Sequence, residues 1–92
     1  MMTAEQAKEK TKERLTQMAK EFITNCAEPA IEEATKSGKF VATPDFMGIV
    51  NSEATGEEVV KLLEKEGFEA EHVMYDNLNG CANYILIKWG DD

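Results

Sequence analysis

The chain predicts a small α+β fold of order α-β-α-β-β. About three antiparallel strands pack against a long N-terminal helix and a short second helix. Three observations carry this. Apolar residues from Leu15 to Ala34 recur at spacings of three and four, the period of one helix face. A shorter helical run follows Thr55 and stops at Gly67, a residue suited to a left-handed helix end. Beyond it, residues 68–75 alternate apolar and polar ahead of the turn-forming Asp76-Asn77-Leu78-Asn79-Gly80. At 92 residues the chain can close one modest core and no second one.

In the first helix, Leu15, Met18, Ala19, Phe22, Ile23 and Cys26 form a single stripe. Between Glu5 and Arg14 the only apolar residue is Ala7. Residues 1–14 are therefore expected as a charged, partly projecting helical arm on a single domain of residues 15–92. Pro29 has no amide hydrogen, so the helix either kinks there or stops and restarts with Pro29 in a first turn. Gly38 closes it. Lys39 to Thr43 reads as a strand ended or bent by Pro44, with Phe46 to Val50 an extension after a bulge. Thr55-Gly56-Glu57-Glu58 matches a capping box opening the second helix, whose Val59, Val60, Leu62 and Leu63 face the core. The last two strands form a hairpin. A loop at 76–79 sets Met74 opposite Cys81, Ala70 opposite Ile85 and Phe68 opposite Ile87, with Glu69 and Glu71 on the other face. Trp89 continues the core face at its far end.

Charge and composition exclude several classes of function. Ten basic residues against eighteen acidic ones give a net charge of -8. This opposes direct nucleic-acid binding and docking on anionic membranes. The charge is also uneven. Residues 1–20 hold five cations and three carboxylates, a local +2, and the remaining 72 hold five lysines and fifteen carboxylates, a local -10. The longest apolar run, Tyr84 to Ile87, is far too short to span a bilayer. The charged N-terminal residues carry no signal-like apolar stretch, so the expected compartment is the cytoplasm. There Cys26 and Cys81 are expected as reduced, buried thiols.

Chemistry-bearing constellations are sparse. His72 is the single histidine, and no serine or cysteine is placed beside it for nucleophilic catalysis. Two cysteines without a CxxC spacing make no zinc site, and no calcium loop or phosphate-cradling glycine loop occurs. No catalytic residue, metal or cofactor is assigned. Two features suit binding: the acidic body, and large side chains that a three-stranded sheet cannot all cover, namely Phe46, Met47, Tyr75, Leu78, Tyr84 and Trp89.

Ile31-x-x-Ala34-x-x-x-Gly38-Lys39, Leu63-x-x-x-Gly67-Phe68 and Tyr84-x-x-Ile87-x-Trp89, in that order, resemble small helix-strand-helix-hairpin proteins of tailed phages and prophages. The resemblance covers residues 30–89 and transfers no catalytic residue. It implies binding of a host or phage protein, or sequestration of a small molecule by an oligomer, in the host cytoplasm. The leading expectation is thus an acidic, non-enzymatic binding protein acting on a protein partner, basic in character, as a monomer or a homo-oligomer. The alternative is an oligomeric receptor for a nucleotide-like ligand. Candidate binding residues are Tyr75, His72, Asn83, Tyr84 and Trp89, with Glu69 and Glu71.

Overall fold

A computed structural model describes residues 1–49 and 51–90, so Val50 and the domain's end at Asp92 lie outside them; the expected strand extension fails over Phe46 to Ile49, where Met47 and Gly48 form a turn. Helix α1 (Ala4–Phe22) runs through a π-helical turn (Ile23–Ala27) into α2 (Glu28–Lys36). A two-residue strand β1 (Val41–Ala42), helix α3 (Ser52–Lys65) and the hairpin β2 (Glu69–Asn77) and β3 (Gly80–Lys88) follow. The sheet is antiparallel with order β1-β3-β2. α2 packs against β1, and α3 against both β2 and α1. The α+β order is the one the sequence predicts.

Pro29 does not interrupt the helical backbone. Its missing amide and its clash with the carbonyl four residues back are absorbed by the wider turn just before it, where the Glu28 N–H reaches back five residues to the Ile23 carbonyl. Backbone angles stay helical on both sides, and Pro29 falls in the first turn of α2. The wide turn contains one extra residue and advances the apolar stripe by one position. Ala27 is therefore buried and Cys26 exposed, against the expectation of a buried thiol. Cys81 is exposed as well, because its position opposite Asp76 lies near the hairpin tip, where Tyr75 and Leu78 are also exposed.

The thirty-three-residue rod from Ala4 to Lys36 is about 50 Å long at 1.5 Å per residue. This accounts for the 53 Å long axis of the molecule. Residues 1–14 are exposed throughout, and the radius of gyration, 14.8 Å, exceeds the roughly 12 Å of a compact chain this long. The rod is capped at its start. Thr3 accepts from the Gln6 amide at 3.1 Å, and the Gln6 side chain accepts from the Thr3 amide at 3.0 Å.

Both helix stops follow the pattern read from the sequence. Gly38 and Gly67 have φ of 75° and 92°, and the residue after each donates to the carbonyl five positions back, Lys39 to Ala34 and Phe68 to Leu63. The start of α3 differs from expectation. The helix begins at Ser52, after Asn51 with φ 52°, so Thr55 is a fully buried interior residue rather than a cap. Glu58, expected to close the capping box, instead accepts from the Thr16 hydroxyl at 3.0 Å and ties α3 to α1.

From Phe40 to Phe46 the chain keeps one register along β3, with no bulge. Val41 lies opposite Lys88, Ala42 opposite Ile87 and Asp45 opposite Tyr84. The Trp89, Ile85 and Phe46 amides donate to the Phe40, Pro44 and Asn83 carbonyls. Regular pairing is interrupted at Pro44, which has no N–H to return to Ile85. Phe46 inserts fully into the core, with its ring 4.7 Å from Phe22 and 5.0 Å from His72. Of the large side chains that the sheet was not expected to cover in full, Phe46 is thus buried, while Met47, Tyr75 and Leu78 are exposed. Ala19, Phe22, Ala27, Val59, Leu63, Ile85 and Ile87 complete the core.

The hairpin register is two residues away from the expected one. The loop is Leu78-Asn79, Asn77 pairs with Gly80, and Ala70 faces Ile87. A slip of two preserves every side chain's face, because strand side chains alternate with a period of two. Phe68 consequently meets Trp89, in an edge contact at 6.0 Å, and not Ile87.

Candidate functional site

The sheet's period of two divides the expected binding residues between its faces. His72 and Asn83 lie on the inner face, beneath the helices, and Trp89 packs at its far end. The His72 Nε2 is 2.6 Å from Asn83 Oδ1, and the same ring meets Phe46. Gly56 in α3 sits directly over the imidazole, where any Cβ would run into the ring. Gly56 is thus a close helix–sheet contact. His72 is half-buried, with Asn83, Phe46 and Gly56 against its ring.

Tyr75, Tyr84, Glu69 and Glu71 fall on the outer face. There Val73 lies opposite Tyr84, Glu71 opposite Leu86, Tyr75 opposite Ala82 and Glu69 opposite Lys88. Val73, Tyr84 and Leu86 are half-buried and Tyr75 is 52 % exposed. Among the described residues, no helix crosses this side, since α2 and α3 pack on the opposite one. A pocket using Tyr75, His72, Asn83, Tyr84 and Trp89 together would have to reach both faces of the sheet.

The outer face is apolar at its centre and acidic along β2. Val73 and Leu86 extend the predicted set. Val73 was legible from its alternation with Glu71 and Tyr75. Leu86 was not, because the run Tyr84-Ile85-Leu86-Ile87 is apolar on both faces and reads as wholly buried.

A second concavity lies between the rod's π-helical turn and the end of α3. It is an open groove of about 870 Å³ floored by Ile23, Ile31, Leu62, Leu63 and Phe68. Its rim mixes Lys20 and Lys65 with Glu28, Glu32 and Glu66, close to charge balance. Among the described residues, no three His, Cys, Asp or Glu side chains gather as a metal site, and no helix is long and apolar enough to cross a membrane.

No protein-family model, curated protein or solved structure matches the chain. The functional reading therefore rests on the two sheet faces and the charge around them.

Proposed function

We propose that the chain is a small acidic, non-enzymatic protein-binding module whose uncovered sheet face receives a basic partner. The observation that carries this is the apolar centre Val73-Tyr84-Leu86, half-buried but crossed by no helix among the described residues, beside Glu69 and Glu71 on a body of strongly negative charge. Exposed apolar surface beside a polar rim is the usual composition of a protein contact. The negative field favours cationic partners and speeds their approach. A phage or prophage origin, as the sequence resemblance implies, makes a host-cell protein the natural partner.

Site-specific photo-crosslinking in the native host tests this. A crosslinker at Tyr84 or Leu86 is expected to trap a discrete basic protein, and one at the exposed Gln17 on α1 is not. The double variant Glu69→Lys/Glu71→Lys is expected to abolish the adduct. Equal trapping from Gln17, or an adduct indifferent to the charge reversal, overturns the proposal.

A further inference from the structure

We infer that the basic partner docks as an extended segment, adding a fourth strand antiparallel to β2. This rests on the binding reading above and specifies how the partner is held. Among the described residues β2 is an edge of the sheet, paired only with β3.

The direction of its free backbone groups follows from the hydrogen bonds of β3. Asn83 accepts from β1's side of the sheet, and Ile85 and Trp89 donate to it, so odd-numbered residues of β3 turn their peptide groups that way. Even-numbered residues of β3 therefore turn theirs to β2, where they pair with Glu69, Glu71, Val73, Tyr75 and Asn77. The amides and carbonyls of Ala70, His72, Met74 and Asp76 are left pointing outward along the free edge. They form a ladder already set for one more strand.

Charge selects the occupant. Glu69 and Glu71 line the outer face of this edge. On α3, which lies over β2, Glu58 and Leu62 are turned to the long helix, the one toward Thr16 and the other into the groove beside Ile23. Glu53, Glu57 and Glu64, at spacings of four and seven, occupy the opposite flank and are exposed. Acidic residues along an edge repel a second copy carrying net charge -8 and attract a cationic strand. An antiparallel strand reading apolar-x-apolar-x-cation-x-cation would set its apolar residues across from Tyr75 and Val73 and its cations across from Glu71 and Glu69.

The experiment titrates the full chain at low ionic strength with the capped peptide Val-Thr-Val-Thr-Arg-Thr-Arg. In the expected register its threonine amides face β2 and the intervening amides face solvent. N-methylating the three threonine amides should weaken binding about tenfold or more, since each neutral hydrogen bond carries roughly a two- to tenfold factor. N-methylating the third, fifth and seventh residues should change it less than about threefold. Equal sensitivity in the two peptides overturns strand addition while leaving the acidic binding face intact. Binding that survives Glu69→Lys/Glu71→Lys overturns both. No binding of the unmethylated peptide overturns strand addition, with crosslinking from Tyr84 then deciding the wider reading. A dimer of the chain that blocks β2 and excludes the peptide overturns it in favour of a second copy.

Discussion

The two faces of the sheet are built from alternate residues of the same strands and have opposite fates. On β3, Ile85 and Ile87 are fully buried under the helices, while their neighbours Tyr84 and Leu86 are half-buried with no element above them among the described residues. Away from the hairpin tip, where Met74 and Cys81 are exposed, the inner face packs against Phe46, Val59 and Leu63 and holds the His72–Asn83 pair. The outer face carries comparable apolar side chains without a covering. Folding stability should therefore reside in one set of residues and partner binding in the other, and substitutions one position apart should separate the two properties.

The largest effect is expected at Phe46. Removing a fully buried ring in contact with Phe22 and His72 should cost about 3–5 kcal/mol in urea unfolding. The adjacent pair Ile85 and Leu86 sharpens the contrast. Ile85→Ala should cost about 2–5 kcal/mol. Leu86→Ser should cost less than about 1 kcal/mol and act instead on partner binding. Equal destabilisation by these two would break the comparison.

Gly56→Ala should destabilise by about 1–3 kcal/mol, because the new methyl group meets the His72 ring. Combining it with His72→Ala should cost less than the sum of the two single changes, a coupling readable from a thermal-unfolding cycle. A small effect on stability, about 1 kcal/mol or less, is expected from Glu69→Lys/Glu71→Lys, because the change at Glu69 sets a like charge across from Lys88. Its signature is the loss of salt-sensitive binding, since added salt screens exposed charges.

The sequence was most legible where local chemistry decides structure. Gly38 and Gly67 stop their helices as expected because only the chain around them sets a left-handed end. The face of each hairpin residue was legible too, and survived a register error of two residues because alternation is insensitive to an even slip. Residues governed by distant partners were harder to read. Thr55 has the signature of a cap, yet its burial between α3 and the rest of the core places it inside the helix. Cys26 left the apolar stripe because Pro29, three residues on, is accommodated by an added residue in the preceding turn. The candidate site was legible only in part. Alternation alone sets Glu69, Glu71, Tyr75 and Tyr84 on one face and His72, Asn83 and Trp89 on the core side; that these two groups cannot share one pocket follows only once the helices are seen to cover the second.

The central claim, that the bare sheet face is the binding surface, is tested most directly by amide NMR while the full chain is titrated with the cationic strand peptide. The account predicts shift changes confined to β2, to Tyr84 and Leu86, and to the acidic flank of α3, fading as salt is raised. Changes centred on Ile23, Ile31 and Leu62, in the groove beside the π-helical turn, would contradict it.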